Sequence, residues 1–455
     1  MSTHTHPTSV KAPASKSMSH RALMAAALAD GESHLYNILD SDDLTRTADA
    51  LRESGASIAP LTALEPGAYA VLGQPEGPDG SPDEDNPTQI NVAESGTTCR
   101  LITGVLAAGR GSFRVHGKGR MHERPIRALA ESLETLGVRF KYEGSPGCPP
   151  FVLTTGGISG REVAVDISES SQFLSGLLLA APLADGPLTI SLAGEKTVSW
   201  PYVSLTLQVL EDFGIPFTVE VDHDSGWNAV DDWRQIRAAV PGRVRFRMEP
   251  ATYRARKYVV EGDWSNASYF LAAGAVGPAL VRVRGLHKES LQGDSAIIDI
   301  LRDMGAEITW DKDTVTVEPR HLHGITRNMA ESPDIVPTVA VLAAMADTPT
   351  KITGVAHLRI KESDRLAACA QEISKVGASV LLLDDGLAIT PKPIPQQLRH
   401  EGVDFSSHGD HRIAMSLSLF ERVGLPVRFD DPSVVGKSFP GFWDAWDTLR
   451  HGGGA

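Results

Sequence analysis

Ser15-Lys16-Ser17-Met18-Ser19-His20-Arg21, running into the apolar stretch Ala22–Ala29 and closed by Asp30-Gly31, decides how the rest of the chain is read. Ser15 and Ser17 are good helix caps, and the residues after them are almost entirely strong helix formers, so the sequence predicts a helix over about Ser17–Ala29. A helix start leaves backbone N–H groups unpaired and presents the positive end of the peptide dipoles, which favours anions. This start also carries the Lys16 ammonium and, one turn along the same face, the Arg21 guanidinium. The stretch fits a seat for phosphate or carboxylate. Taken alone, it fits equally a capped surface helix with two solvated cations.

Recurrence separates the two readings. Five more helices of the same kind begin at polar clusters: Ser95-Gly96-Thr97-Thr98-Cys99-Arg100 running to Ala108, Ser170-Ser171-Gln172 to Ala184, Asp263-Trp264-Ser265-Asn266 to Val276, Pro333-Asp334 to Ala346, and Asp410-His411-Arg412 to about Glu421. All are nearly apolar around their circumference, and a helix without a polar face is a buried helix. Charged, amphipathic helices alternate with them over about Asp43–Ser54, Arg127–Leu136, Ser204–Phe213, Ser295–Met304, Asp364–Val376 and Gly441–Leu449. Five of these six end in a glycine followed by a strand-like run, beginning at Gly55, Gly137, Gly214, Gly305 and Gly377. Further strand-like runs include Phe113–Val115, Leu188–Leu192, Leu280–Val283 and Leu387–Thr390. One βαβαββ-like unit therefore repeats six times, at a spacing of roughly 70–95 residues. Pro60–Pro87 and His223–Pro250 break the rhythm and read as loop or hairpin insertions.

The chain has 455 residues, enough for two large domains of three units each. Its net charge of −14 argues against nucleic acid or an anionic membrane surface as partner. A basic cleft for a small anion can still exist inside an acidic protein. Cys99, Cys148 and Cys369 are far apart and share no metal-ligand spacing, so neither a disulfide framework nor a zinc site is expected. No run approaches the ~18 apolar residues of a membrane span. Met1–Pro7 is polar and reads as a flexible tail, and a cytoplasmic location is expected.

Six buried helices starting at polar clusters must turn those starts toward something polar, and the simplest solution points many of them at one positive cleft between the two halves. Each copy supplies candidate groups. Ser95-Gly96-Thr97-Thr98 offers hydroxyls and a close-approaching glycine backbone. The loop Gly117–Pro125 supplies Arg120 or Arg124 as a clamp for a carboxylate or phosphate. Ser170, Ser171 and Gln172 sit on helix-start amides, and Ser199 and Tyr202 form a similar turn, although core packing is the simpler use of Trp200 and Tyr202. Asp334 is either an N-cap or a base. Arg359-Ile360-Lys361-Glu362-Ser363-Asp364-Arg365 is either an exposed salt-bridged helix start or a set of carboxylates and cations for proton transfer on an anion. Asp410 can cap while His411 and Arg412 face the cleft, and Lys437 lies in a later turn.

Ser15-Lys16-Ser17 with Arg21, Ser95-Gly96-Thr97-Thr98 with Arg100, Arg120-Met121 with Glu123-Arg124-Pro125, Ser170-Ser171-Gln172-Phe173, Lys361-Glu362-Ser363-Asp364-Arg365 and Asp410-His411-Arg412 with Ala414-Met415 occur in this order from about Ala14 to Pro440. In this combination the chain resembles the 5-enolpyruvylshikimate-3-phosphate synthase family of enolpyruvyl transferases. The resemblance implies an α/β fold of the α+β type. Two similar domains would each hold three βαβαββ units with buried helices, and the active site would lie in the cleft between them. It places residues 15–257 in the first lobe and residues 1–14 with 258–455 in the second. The implied reaction moves the carboxyvinyl group of phosphoenolpyruvate to the 5-hydroxyl of shikimate 3-phosphate and releases phosphate, in aromatic amino-acid biosynthesis. It proceeds by addition and elimination through a tetrahedral intermediate. Neither a metal nor an organic cofactor is implied, and the protein is expected to act as a monomer on its two small-molecule substrates.

Carried over by position, Ser17, Arg21, Ser170, Ser171, Gln172, Ser199, Tyr202, Asp334 and Lys361 would hold shikimate 3-phosphate. Lys16, Gly96, Arg124, Gln172, Arg365, Arg412 and Lys437 would hold phosphoenolpyruvate. Asp334 would take the hydroxyl proton, and Glu362, with Lys16, would serve the methylene carbon. The chain departs from many relatives at Glu94 and His357, where asparagine is common, and at Leu101, where some carry proline. Gly96 leaves room for glyphosate in the family, and the resemblance implies that glyphosate competes with phosphoenolpyruvate. The related transferase acting on UDP-N-acetylglucosamine uses a loop cysteine that Lys118–Pro125 lacks. The acidic charge disfavours an RNA 3′-phosphate cyclase, built on similar units. A non-catalytic anion-binding relative could discard Asp334 or Glu362, and both are present.

Overall fold

The repeating element is clearest in the second copy. Thr88–Ala93 leads into helix Gly96–Ala107, which returns the chain to Gly111–Gly117, parallel to the first strand. Helix Arg127–Glu134 comes next, and Arg139–Tyr142 and Phe151–Thr155 close the sheet as an antiparallel pair. A parallel pair needs a crossover, and the buried helix provides it. The computed structural model describes residues 8–61, 67–224 and 226–450; the predicted tail Met1–Pro7 lies outside them.

The six crossover helices are α1 (Lys16–Ala27), α2 (Gly96–Ala107), α3 (Gln172–Ala180), α4 (Trp264–Val276), α5 (Val336–Ala344) and α6 (His411–Leu417). Every residue of α5 and α6 is buried. α3 ends earlier than predicted because Pro182, which lacks an N–H, tightens the chain into a 3-10 turn at Ala181–Leu183. α6 also gives way early, to a 3-10 turn at Ser418–Val423. The amphipathic helix expected from Ser204 begins at Trp200, since Pro201 is tolerated in a first turn.

The chain divides into two units, Ser15–Val260 and Met1–Ala14 with Glu261–Ala455. In each, the leading strand of the first copy comes from elsewhere in the chain: Lys257–Val259 pairs with His34–Tyr36, and Thr8–Lys11 pairs with Val281–Arg284, both in parallel. The division therefore falls after Val260, not after residue 257. The Val260 N–H donates to the Tyr36 carbonyl and holds this segment to the first unit.

Two further expectations need correction. Pro60–Pro87 is not a simple insertion, because Tyr69–Leu72 is an inner strand between Glu32–Tyr36 and Ser57–Pro60. Likewise Val244–Met248 runs between Leu188–Ala193 and Phe217–Asp222. Its Val244, Phe246 and Met248 are buried while arginines occupy the alternate positions, a period-2 pattern hidden by its charge. The sixth copy comprises Val403–Phe405, α6, Val427–Phe429 and Phe442–Arg450, with no closing hairpin among the described residues.

Packing between the buried helices depends on small residues. A Cβ on Gly104 of α2 would collide with the backbone of Gly176 on α3, so the two helices touch main chain to main chain. In the other unit the Ser268, Thr338 and Ser416 hydroxyls of α4, α5 and α6 link in series at 3.2 and 3.3 Å. Each buried hydroxyl thus has a partner, without which it would cost about 1–3 kcal/mol.

Candidate functional site

In the unit Ser15–Val260, the starts of α1, α2 and α3 are tied together by polar contacts. Ser15 and Ser95 cap α1 and α2, accepting from the Met18 and Thr98 amides. Lys16, nearly buried, pairs with Asp43 at 3.2 Å. The Asp43 carbonyl accepts from the Thr98 hydroxyl, which in turn meets the hydroxyls of Thr47 and Ser95, both at 2.7 Å. Thr47 also bonds Nδ1 of His20 at 2.7 Å. His20 is fully buried, and burial is the main cause that pushes its pKa down to about 3; Asp43 opposes the shift, while Lys16 and Arg21 add to it.

Gln172, at the start of α3, donates to Thr97 and accepts from Arg100, each at 3.0 Å. Arg100 also donates to the Pro125 carbonyl and lies over the Phe173 ring. Of the two loop arginines, Arg120 is exposed and paired with Glu123 at 3.7 Å, whereas Arg124 is buried and donates to the Glu94 carbonyl. A Cβ on Gly96 would collide with the Arg124 guanidinium, so the absent side chain is what admits that group to the start of α2. Glu94 itself is exposed, with its carboxylate toward Gly119.

Arg21 is placed differently from Lys16. It is buried and donates to Thr206 Oγ1, Ser175 Oγ and the carbonyls of Ser17 and Tyr202 at 2.8–3.1 Å. Burial lowers its pKa to about 10. Ser170 caps the Gln172 amide, and Ser170 and Ser171 are both buried. Ser199 is buried in a left-handed conformation at φ 56°, ahead of helix Trp200–Asp212. Tyr202 and Ser17 are half-buried, and Trp200 is a core residue, as expected of it.

The other unit holds a denser cluster. Arg365 donates to Asp334, Glu362 and Asp410 at 2.9, 2.8 and 2.8 Å. Burial would lower its pKa, but Asp410, Glu362 and Asp334 outweigh that and raise it. Arg412 reaches the second oxygen of Asp334 at 2.8 Å. Asp410 caps α6 through the Arg412 amide and accepts from Ser363 as well. Asp334 does not cap α5: its carboxylate is taken up by two guanidiniums, and it lies in the 3-10 turn Pro333–Ile335 preceding the helix. Likewise the run from Arg359 is no exposed helix start, since Asp364 caps helix Arg365–Ser374 and Glu362 and Arg365 are buried or nearly so. Lys361 and Lys437 are half-buried beside Glu362 and Ser438, and His357 and His411 are buried.

Sequence reasoning missed Asp43, His20, Thr47, Ser265 and Asp294. Asp43 lies in a charged helix that reads as solvated, and His20 sits unassigned within the opening motif. Asp294 stands just before a helix in Gln292-Gly293-Asp294-Ser295, a polar cluster of the kind that marked the other starts. It is buried and accepts from the Ser265 hydroxyl. Burial is the main cause that pushes its pKa up to about 7; Asp334 adds to this, while Arg412 and Ser265 oppose it and Asp263 adds a smaller push. Chemically, one cluster offers cations and helix-start amides, and the other offers carboxylates around two guanidiniums.

Among the described residues no helix is long and apolar enough to cross a membrane. The profile of the EPSP synthase (3-phosphoshikimate 1-carboxyvinyltransferase) family matches residues 6–446. A 3-phosphoshikimate 1-carboxyvinyltransferase of Methanosphaerula palustris is 40% identical over 437 residues, covering 95% of each chain. One from Syntrophobacter fumaroxidans is 39% identical over 446 residues, covering 96% of each. Among solved structures, EPSP synthase from Acinetobacter baumannii superimposes with a TM-score of 0.73 at 25% identity, over 98% of this chain and 95% of that one. The enolpyruvyl transferase NikO from Streptomyces tendae gives 0.70 at 16% identity over 98% and 94%, a likeness of fold.

Proposed function

The chain belongs to the EPSP synthase (3-phosphoshikimate 1-carboxyvinyltransferase) family, and on that premise we propose how its residues carry the reaction. The enzyme transfers the enolpyruvyl group of phosphoenolpyruvate to shikimate 3-phosphate, in the shikimate pathway. Cytoplasmic location and action as a monomer belong to the proposal.

Phosphoenolpyruvate is held by Lys16, Arg124, Gln172 and the Gly96 amide, and by Arg365, Arg412 and Lys437. Shikimate 3-phosphate is held by Ser17, Ser170, Ser171, Gln172, Ser199, Tyr202, Asp334 and Lys361, with Arg21 behind them. Arg21 spends its donors on Thr206, Ser175 and two carbonyls, which supports a part in shaping this seat. In the addition step Glu362, with Lys16, delivers a proton to the methylene carbon of phosphoenolpyruvate. C2 becomes electrophilic, and the 5-hydroxyl adds to it while Asp334 takes the hydroxyl proton. The tetrahedral ketal then returns a proton of its methyl group to Glu362 and expels phosphate, whose charge the fixed cations hold.

The observation that supports these roles best is the sharing of Arg365 between Asp334 and Glu362, at 2.9 and 2.8 Å. One guanidinium fixes both carboxyl groups in direction, as a base and a proton carrier require. Asp334→Ala and Glu362→Ala should each lower kcat by about 10²-fold or more. Near-normal turnover in either variant would strip that residue of its role.

A further inference from the structure

Asp294 is a buried ionisable group that these roles leave unused. It lies in the 3-10 turn Gly293–Ala296, which packs on α4 and on the turn Pro333–Ile335 that carries Asp334. The residue is 2% exposed. One carboxyl oxygen accepts from Ser265, in the first turn of α4, and the other has no hydrogen-bond partner among the described residues. A buried carboxylate with an unserved oxygen is costly to keep charged, and a carboxylic acid is much less so. The charges acting on it are Asp334 from the adjoining turn, Arg412 from α6 and Asp263 from the cap of α4. Two of the three are negative, and the positive one is already bonded to Asp334 at 2.8 Å.

We propose that Asp294 is a positioning residue for Asp334: as a neutral acid it leaves the Arg412 guanidinium to Asp334, and on ionising it competes for that guanidinium and draws it off the base. The inference rests on the assignment of Asp334 as the base. Its proton balance is simple, since Asp294 gives up one proton to solvent and takes it back without entering the chemistry. The raised pKa, about 7, puts this exchange near neutral pH. An anion bound at Arg412 adds negative charge nearby and holds the proton on Asp294 more firmly.

The test is the pH profile of kcat and of kcat/KM for phosphoenolpyruvate, with shikimate 3-phosphate saturating, for wild type, Asp294→Asn, Ser265→Ala and Asp334→Asn. Asp294→Asn fixes the neutral form. It should keep kcat within about threefold of wild type at pH 6 and lack an alkaline limb that wild type shows near or above neutrality. Ionisation of the substrates affects both enzymes alike and cancels in the comparison. Ser265→Ala removes a donor to the charged form and should move the limb to higher pH. A readout independent of turnover is the protonated-carboxyl stretch in infrared difference spectra between pH 6 and pH 9, present in wild type and absent in Asp294→Asn. Thermal midpoints give another. A pKa raised on folding costs stability as pH rises, so the advantage of Asp294→Asn over wild type should grow from pH 5 to pH 8. Superimposable pH profiles for wild type and Asp294→Asn overturn the proposal. An active Asp334→Asn would instead overturn the assignment of the base.

Discussion

Replacing Arg365 with alanine removes the one group that joins three carboxylates. Its guanidinium is 2% exposed and pairs with Asp334, Glu362 and Asp410, themselves 18%, 12% and 0% exposed. The loss is uneven. Asp334 keeps Arg412, and Asp410 keeps the Ser363 hydroxyl and the Arg412 amide, while Glu362 loses its guanidinium. Breaking a buried pair by removing one partner costs about 3–5 kcal/mol, and the remaining donors keep the total near the lower end. For a unit of this size each kcal/mol moves the melting midpoint by about 2–4 °C, so Arg365→Ala should melt roughly 6–12 °C below wild type at pH 8. The deficit should depend on pH. Carboxylates stripped of their cation have folded pKa values above those of the unfolded chain. Their protonated forms are therefore tolerated near pH 5, and the deficit widens as pH rises. Arg365→Lys should recover part of the loss, since one ammonium cannot meet three carboxylates in the fork geometry. Calorimetry or dye-monitored melting of the full chain at pH 5, 6.5 and 8 reads all of this. A midpoint within about 2 °C of wild type at pH 8, or a deficit that does not change with pH, would refute the reasoning.

Gly104→Ala sets a methyl group against the backbone of Gly176 and should cost about 1–3 kcal/mol in denaturant unfolding, whereas Gly186→Ala, with nothing within 4 Å of the new Cβ, should stay within about 0.5 kcal/mol of wild type. Equal effects would contradict main-chain contact between α2 and α3. For His20, the folded pKa of about 3 lies below the value near 6.5 expected when unfolded. Its contribution is therefore complete above pH 6.5 and declines as pH falls toward 3, by about 1.4 kcal/mol per unit. His20→Asn, which keeps a partner for Thr47, should lose about 2 kcal/mol less than wild type between pH 6.5 and pH 5. Coincident acid limbs in urea titrations at the two pH values would remove His20 as a source of acid lability.

The buried helices were legible because burial on all sides leaves no polar face, and α4 and α5 have none in the sequence. The turns after the amphipathic helices were legible for a backbone reason: Gly55 and Gly377 have φ of 110° and 97°, where a side chain is strained. Val244–Met248 escaped because its arginines masked the alternation beneath them, and Tyr69–Leu72 because it sits within a stretch rich in glycine, proline and acid. In the candidate site, cations at helix starts stood out, whereas the groups that orient them did not. Whether Asp334 capped a helix or met a cation depended on Arg365 and Arg412, 31 and 78 residues further along the chain, and local spacing carries no record of such pairs. Asp43 and Asp294 were hidden for the same reason, since a carboxylate in a polar cluster reads as solvated until its burial is known.

Carboxyvinyl transfer between two anionic substrates is measured most directly as phosphate release from phosphoenolpyruvate by the purified full chain, with and without shikimate 3-phosphate. The prediction is release that requires shikimate 3-phosphate and matches its consumption one for one, with a carboxyvinyl ether formed at its 5-hydroxyl. Absence of release with both substrates present, or release at the same rate without shikimate 3-phosphate, would contradict it.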